Sequence, residues 1–289
     1  MMKNIAQSHS FCGEAPIRDP RTGELFWVDT GKKECWKIDP ESEESNRIPT
    51  EGCFQALGKR ERGGWIAPLD DRLVLCDDNL KIIQDLGNPT KEKPYMLLGD
   101  GTSGPDGCYY YTIYHPEELT SKEGAILKVN RDLSVEMVLT DLALPNGIAF
   151  SPDDKKLYVT EMFGNCIWQY DFNSENGEFS NKELFAEVPE VDGYPDGLIV
   201  DSNGNVLSAH WQGFRITRYQ PDGSVDRIIE SPVPTATCMA FGGKDLKTLY
   251  ATTARKGCTD EQLEKYPESG DLFAVEMDIP GIPERIFKG

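Results

Sequence analysis

Apolar and polar residues alternate along most of the chain in short segments. Clusters of Gly, Asp, Asn and Pro separate these segments, a pattern typical of β-strands joined by turns. The segments come in pairs: ELFWVD and CWKIDP (24–40), GGWIAP and RLVLCD (63–77), GCYYYTIY and AILKVN (107–130), KLYVTE and CIWQYD (156–171), NVLSAHW and RITRYQ (205–220), and TLYATT and DLFAVE (248–276). Successive pairs begin roughly 40–50 residues apart, which is the repeat length of propeller blades.

Each pair is interpreted as the two middle strands of a four-stranded unit. Four segments are candidate outer strands: SVEMVLT (134–140), ELFAEVP (183–189), SVDRIIES (224–231) and PERIFKG (283–289). We therefore predict an all-β, six-bladed β-propeller with four-stranded blades around a central channel, forming one domain over residues 1–289. A β-helix has shorter repeats, and two sandwiches would leave the period unexplained.

Two further local expectations follow from the pattern. We expect the N-terminal segment and PERIFKG to share one blade and so to close the ring. Asp260–Tyr266 is the one stretch that suggests a short helical turn.

Three of the units carry an oxygen-bearing side chain close to the apolar run of the inner strand. These residues are Glu14 in GEAPI, Asn146 in PNGIAF and Asp196 in PDGLIV. The loops that enter the inner strands of a propeller face one end of its channel, so we expect the three side chains to converge there. The corresponding points of the other units are Gln55–Ala56, Gly99 and Cys238.

Two carboxylates and an amide at one buried point favour a bound cation. The carboxylates would repel each other unless a cation joined them or one took up a proton. An all-oxygen ligand set suits Ca²⁺, Mg²⁺ or Mn²⁺, with Zn²⁺ as an alternative. The competing interpretation is that Asn-Gly and Asp-Gly are ordinary turn formers, as we expect for Asn203-Gly204 and Asp222-Gly223. Glu14 is no turn former, and the recurrence at equivalent points favours the cation.

Composition narrows the range of partners. The formal charge of −19 argues against nucleic acid and anionic membranes, because both would be repelled. The start of the sequence lacks an apolar signal region, and the 8 cysteines include no Cys-x-x-Cys pair, so we expect reduced thiols and a cytoplasmic protein. Neither a Gly-x-Ser-x-Gly elbow nor a nucleotide-binding glycine loop is present. The sequence does not indicate an oligomeric state.

Four ordered motifs together resemble those of the senescence-marker-protein (regucalcin)/gluconolactonase/luciferin-regenerating-enzyme family. The motifs are GEAPIRDPRTGELFWVD, LPNGIAFSPDDKKLYVTE, YPDGLIVDSNGNVLSAHWQG and FGGKDLKTLYATTAR. The resemblance implies a six-bladed propeller that hydrolyses a small sugar lactone with one divalent metal ion, for which Ca²⁺ is our first expectation. It also implies that Glu14, Asn146 and Asp196 are the protein ligands of that ion.

The sequence departs from the family pattern where an Arg and an Asn commonly contact substrate. Leu97 and Gly99 stand at those places, which predicts a less polar or differently shaped ligand, and Asp100 is expected to supply a substitute polar contact or to support the site. His115 lies in a longer interruption that can cover the channel mouth, and Trp211 can form an aromatic wall. A surface loop and core packing, respectively, are the simpler interpretations.

The leading hypothesis is therefore a metal-dependent lactonase. The cation would polarise the lactone carbonyl, and Asp196 would orient or deprotonate the attacking water in addition to binding the ion. The alternatives are a non-catalytic or regulatory Ca²⁺-binding propeller and a related ester or phosphotriester hydrolase with altered specificity.

Overall fold

Four-stranded antiparallel sheets arranged in a ring make up nearly all of the computed structural model, which describes residues 2–289. The first strand, β1 (Lys3–Ala6), belongs to the last blade. From the inside outwards, blade 1 contains β2 (Gly13–Arg18), β3 (Leu25–Asp29), β4 (Glu34–Asp39) and β5 (Glu44–Pro49). Blade 2 contains β6 (Gly58–Lys59), β7 (Trp65–Leu69), β8 (Arg72–Cys76) and β9 (Ile82–Gly87). Blade 3 contains β10 (Leu97–Ser103), β11 (Tyr109–Tyr114), β12 (Gly124–Val129) and β13 (Val135–Leu142).

The other three blades repeat this order. Blade 4 contains β14 (Pro145–Phe150), β15 (Lys156–Glu161), β16 (Cys166–Asn173) and β17 (Glu178–Glu187). Blade 5 contains β18 (Tyr194–Val200), β19 (Val206–Trp211), β20 (Arg215–Tyr219) and β21 (Val225–Glu230). Blade 6 contains β22 (Ala236–Gly242), β23 (Thr248–Thr253), β24 (Leu272–Glu276) and β1. The predicted six-bladed propeller is confirmed.

The N-terminal strand closes the ring. β1 pairs with β24 through Lys3↔Ala274 and Asn4↔Phe273, so blade 6 combines the first strand of the chain with three strands from its end. Ala6, the last residue of β1, and Met2, which precedes the strand, are buried. The expectation that the N-terminal segment shares the closing blade is confirmed for this segment.

The prediction that PERIFKG forms an outer strand is wrong. The segment has no strand in blade 6, and Phe287 instead forms a single parallel bridge with Arg60 at the end of β6. The Phe287 side chain is fully buried and its ring centroid lies 6.4 Å from that of Tyr109. Burying this aromatic ring between blades 2 and 3 removes more apolar surface from water than an exposed edge strand would.

The C-terminal tail runs across the end of the channel where the inner strands finish. Gly281 bridges Asp201 just after β18, and the Arg285 guanidinium donates to the Ser151 carbonyl just after β14 (2.8 Å). Residues 282–285 line a small hollow together with the later halves of five inner strands. The tail therefore closes this end, and the opposite end of the channel is the mouth.

Five of the six inner strands have a register irregularity near the mouth. In each, two residues of the inner strand oppose one residue of the next strand, as in a β-bulge; the opposing residues are Trp27, Thr112, Thr160, Ala209 and Thr252. A bulge re-aims a side chain and leaves backbone groups without their ladder partners. The three threonines meet this need by donating to inner-strand carbonyls, and Thr160 Oγ1 donates to the Asp196 carbonyl at 2.7 Å.

Helical structure is minor. The predicted turn is a short α-helix, α1 (Asp260–Lys265), which begins after a Thr259 cap whose side chain accepts from the Gln262 N–H. Within residues 2–289, no helix has the length and apolar character needed to cross a membrane.

Candidate functional site

The mouth of the channel opens into a cavity of about 400 Å³. Its wall combines polar groups near the channel axis with apolar side chains towards the solvent. The lining residues are Cys12, Glu14, Thr30, Gln55, Leu97, Gly99, Asp100, Thr112, Tyr114, Pro116, Leu119, Leu144, Pro145, Asn146, Met162, Phe163, Tyr194, Asp196, Trp211 and Lys256. This volume suits a small molecule.

The structure brings the three predicted ligand residues together in this cavity. Glu14, Asn146 and Asp196 come from the mouth ends of β2, β14 and β18. The Asn146 side-chain amide donates to Oδ1 of Asp196. Oδ2 of Asp196 is buried and has no hydrogen-bond partner among residues 2–289. A buried carboxylate oxygen without a partner is costly unless a cation or a proton compensates it.

The pKa shifts of the two carboxyl groups also indicate that the site needs a cation or a proton. Burial raises the pKa of Glu14 well above its usual range, and the neighbouring Asp196 and Asp100 raise it further. The pKa of Asp196 is also well above its usual range, because of burial and then because of Asp100. Removing a charge from water and placing it beside a like charge both disfavour the ionised form. A divalent cation would reverse both effects.

The donor set fits a hard cation better than a soft one. Among the described residues, no three side chains of the His, Cys, Asp and Glu types form a metal-binding cluster. The set here has two carboxylates and one amide, and oxygen donors of this kind are those that Ca²⁺, Mg²⁺ and Mn²⁺ prefer. The identity of the residues therefore favours oxygen ligation and gives no support to a three-histidine zinc centre.

Close packing explains the glycines that follow Asn146 and Asp196. A Cβ atom at Gly147 would lie 2.3 Å from the Leu198 backbone nitrogen, and one at Gly197 would lie 2.8 Å from Cα of Cys238. Neither glycine has a positive φ. Adjacent inner strands thus approach so closely that only glycine fits. Asn203-Gly204 and Asp222-Gly223 are turns between strands, where both glycines have positive φ.

The segment with the altered family positions also lines the cavity. Leu97, at the start of β10, is 41% exposed, and Gly99 and Asp100 occupy the bulge opposite Thr112. Asp100 Oδ1 accepts from the Gly101 N–H (2.8 Å), and burial raises the pKa of Asp100 to about 6. A Cβ atom at Gly99 would lie 2.5 Å from Thr112 Oγ1. The space beside Gly99 is therefore occupied by the threonine.

Trp211 and His115 have different placements. Trp211, the last residue of β19, lies half-buried in the cavity wall. His115 is not among the lining residues; its Nδ1 accepts the backbone N–H groups of Glu117 and Glu118, which fixes a turn. The same loop reaches the cavity through Pro116 and Leu119, so the loop covers part of the mouth although the imidazole does not face the cavity.

Two positions of the predicted axial ring differ in their exposure to the cavity. Gln55 lines it as expected. Cys238 is buried among the same carboxyl groups, which raise the pKa of its thiol in addition to burial, but it lines the hollow on the tail side. Register explains the difference, because Cys238 is the second residue of its bulge, whereas Asn146 and Asp196 are the first of theirs.

Several residues of the wall were not predicted from the sequence. Among residues 2–289, Lys256 is the one Lys or Arg side chain in the lining, and Met162, Phe163 and Cys12 also contribute. Lys256 follows β23, just as Met162 follows β15. The second strand of a blade runs antiparallel to the inner strand, so the residues after it return to the mouth. Applying this rule to every blade would have identified Lys256, Met162 and Phe163, whereas Cys12 precedes the inner strand β2.

Known proteins share both the sequence pattern and the fold. Over 294 residues the chain is 32% identical to a 6-deoxy-6-sulfogluconolactonase from Pseudomonas putida, covering 100% of this chain and 99% of that protein. It is 30% identical to a pentonolactonase from Haloferax volcanii, covering 94% and 93%. The crystal structure of a calcium-binding protein, regucalcin, from Agrobacterium tumefaciens has a TM-score of 0.93 at 24% identity, covering 99% and 97%. The model of the SMP-30/gluconolactonase/LRE-like region matches residues 12–255, and the chain therefore belongs to this family.

Proposed function

We propose that the protein is a lactonase that opens a small sugar lactone at the mouth cavity with the help of one divalent cation. The observation that supports the proposal is that Glu14, Asn146 and Asp196 line one cavity, where a buried oxygen of Asp196 has no hydrogen-bond partner among residues 2–289. Relatives that cover nearly the whole chain are named for sulfogluconolactone and pentonolactone hydrolysis. Both names support an aldonolactone as the substrate class.

Glu14, Asn146 and Asp196 would hold the cation, for which Ca²⁺ is the first candidate. When bound, the ion supplies Lewis-acid polarisation of the carbonyl and stabilises the oxyanion that forms. Its two positive charges would also balance Glu14 and Asp196, whose ionised forms are disfavoured without it. Asn146 adds a neutral oxygen donor once its amide is turned towards the ion.

Asp196 is the proposed catalytic residue. Its carboxylate orients a water molecule and accepts a proton as the water oxygen attacks the lactone carbonyl carbon. The ring carbon–oxygen bond then breaks, and the proton passes to the departing alkoxide, giving a hydroxy acid. Thr160 Oγ1 donates to the Asp196 backbone carbonyl, so the main chain that carries this carboxylate is fixed before substrate binds.

The rest of the cavity wall suits a ring-shaped molecule with one polar face. Pro116, Leu119, Phe163 and Trp211 supply apolar surface towards the solvent, while Asp100 and Tyr114 supply polar groups nearer the axis. Apolar walls with a few convergent polar groups are typical of small-molecule sites. We propose that Leu97, Gly99, Asp100 and Trp211 contact the substrate, and that His115 acts only through the shape of its loop.

The test combines turnover with cation binding. Acid release from a panel of sugar lactones is followed at constant pH, with and without EDTA, and Ca²⁺ binding is measured by calorimetry. We expect Asp196→Asn to lower the rate by at least about 100-fold and to weaken Ca²⁺ binding by at least about 10-fold. Asp222→Asn is the matched control, because it makes the same change in an Asp-Gly turn.

The outcomes separate the proposal from its alternatives. Tight Ca²⁺ binding without hydrolysis of any lactone would indicate a binding or regulatory propeller. Hydrolysis of aryl esters or phosphotriesters in place of lactones would indicate altered chemistry. Unchanged turnover in Asp196→Asn would exclude Asp196 as the catalytic residue.

A further inference from the structure

A basic hollow adjoins the mouth cavity. It has a volume of about 380 Å³ and is lined by His9, Phe11, Lys32, Arg255, Lys256, Gly257, Cys258 and Leu263. Within the described part of the chain, no Asp or Glu side chain lines it, although acidic residues outnumber basic ones by 49 to 30 in the sequence. Lys256 lines both the hollow and the mouth cavity, so the two spaces meet at this side chain.

Two cations of the hollow have no acidic partner among the described residues. Lys32 lies 3.4 Å from Asp29, and His9 lies 3.1 Å from Asp271. Arg255 instead points at the backbone carbonyls of Pro267 and Ser269, at 3.5 and 3.4 Å. Lys256 has neither an ion pair nor a hydrogen bond from its amine within residues 2–289, and it is exposed. Its charge is thus available to a ligand.

Once the proposed cation is bound, the negative charges of the site's carboxylates are balanced without Lys256. Glu14 and Asp196 carry two negative charges, which a divalent ion balances. Lys256 then leaves a positive charge on an exposed part of the cavity wall. In a molecule with a formal charge of −19, this local reversal of sign is the feature that would retain an anion.

We propose that Lys256, with the basic hollow behind it, binds an anionic substituent of the substrate. The substrate class is a sugar lactone that carries a sulfonate or phosphate on the carbon farthest from the lactone carbonyl. This inference rests on the proposed lactonase function and adds the charge of the substrate to it. Lys256 is a specificity-determining residue, because it contacts the substituent and takes no part in the ring opening.

The experiment compares charged and neutral lactones on wild-type protein and Lys256→Met. The three probes are gluconolactone, its terminal sulfonate and its terminal phosphate, and KM and kcat are measured for each. Losing a charge-assisted contact should raise KM for the anionic lactones by about 10-fold or more, with kcat and the neutral lactone changed by less than about 2-fold. Lys256→Arg should restore most of the preference. The two anionic arms show whether the site takes sulfonate, phosphate or both.

A matched control separates local contact from overall charge. Lys244→Met removes the same charge from an exposed lysine in the turn after β22. The Lys244 amine pairs with Glu41, and its side chain lines neither the cavity nor the hollow. It should leave every KM unchanged. An equal rise in KM for neutral and anionic lactones in Lys256→Met, or no rise at all, would overturn the inference while leaving the lactonase function intact.

If no lactone is hydrolysed, a binding measurement still tests the anion site at Lys256 separately from the lactonase function. Calorimetry with gluconate and with its terminal phosphate ester requires no turnover. Tighter binding of the phosphate ester to wild-type protein by about 10-fold, lost in Lys256→Met, would support the anion site alone. Equal affinities would contradict it.

Discussion

At the residue scale, the identity of Gly99 is decided by its neighbour across the strand pair. Thr112 stands opposite the bulge that contains Gly99, and its hydroxyl lies where a side chain at position 99 would begin. The sequence indicated a departure from the family pattern at this point, but not the threonine that accompanies it. A cross-strand partner in a bulge depends on register, which the pattern of apolar residues alone does not define.

We predict that Gly99→Ala lowers the free energy of unfolding by about 1–3 kcal/mol, because the new methyl group overlaps the Thr112 hydroxyl. In a Thr112→Ala background, Gly99→Ala should lower the free energy of unfolding by clearly less, since the Thr112 hydroxyl that overlaps the new methyl group is gone. A double-mutant cycle by urea denaturation measures this coupling. Additive effects would show that Thr112 does not restrict position 99.

Leu97, by contrast, leaves room for a longer side chain. It is 41% exposed at the rim of the cavity. We predict that Leu97→Arg lowers KM for neutral aldonolactones by about 3–10-fold, because a guanidinium group can donate to substrate hydroxyls. Leu184→Arg, on the exposed face of β17, is the control of equal charge and should have no effect. An unchanged KM in both variants would mean that Leu97 does not contact substrate.

At the element scale, strands of alternating polarity and the closing blade's N-terminal strand were predicted, whereas the C-terminal segment was not. The paired middle strands have the period of two that half-buried strands require, and all six pairs are present in the structure. β1 is only four residues long, so the N-terminal segment was assigned to the closing blade without bounds for its strand. PERIFKG contains the adjacent apolar residues Ile286 and Phe287 without a period of two, and Phe287 is buried between blades rather than in a sheet.

Ring closure by β1 has a testable consequence. Met2 is buried with Phe273, Leu249 and Met277 in the core of the closing blade. We predict that Met2→Ala lowers the free energy of unfolding by about 2–4 kcal/mol, since it leaves a cavity where the blade is closed. Met137→Ala, at an exposed position on β13, should cost less than about 0.5 kcal/mol. If chemical denaturation gave Met2→Ala the same free energy of unfolding as wild type, β1 would not hold the ring closed.

At the scale of the whole molecule, the convergence of distant residues at the mouth followed from the repeat alone. The placement of Glu14, Asn146 and Asp196 required only a ring of equivalent units with inner strands entering from the same side. The residues that follow the second strand of a blade also return to the mouth, but their loops differ in length and sequence, and Pro116, Phe163 and Lys256 were not predicted. The tail across the far end likewise depends on packing with no periodic signature.

The tail also couples global stability to pH. Burial raises the pKa of Glu284 to about 7, although the Arg18 N–H and the Arg18 charge favour its ionised form. The folded state therefore holds a proton that the unfolded chain releases near pH 4.5, so this contribution to stability is present below that pH and is lost as the pH rises through about 7. We predict that Glu284→Gln removes this loss of stability. At pH 8 the free energy of unfolding of the variant should exceed that of wild type by about 1–3 kcal/mol.

Thermal unfolding scans between pH 4 and 8 measure the difference. The wild-type Tm should fall relative to that of Glu284→Gln as the pH increases. Glu230→Gln, at the exposed end of β21, is the control and should follow the wild-type curve. Parallel curves for wild type and Glu284→Gln would contradict a buried, protonated Glu284.

The plugged far end leaves a single route for exchange with solvent. A ring-opened acid would have to depart through the opening by which the intact lactone arrived, and its new carboxylate would pass both Asp100 and Lys256. These two side chains act in opposite directions on a carboxylate, because Asp100 repels it and Lys256 attracts it. The closed far end therefore makes substrate and product share one passage, so the next lactone can enter only after the acid has left.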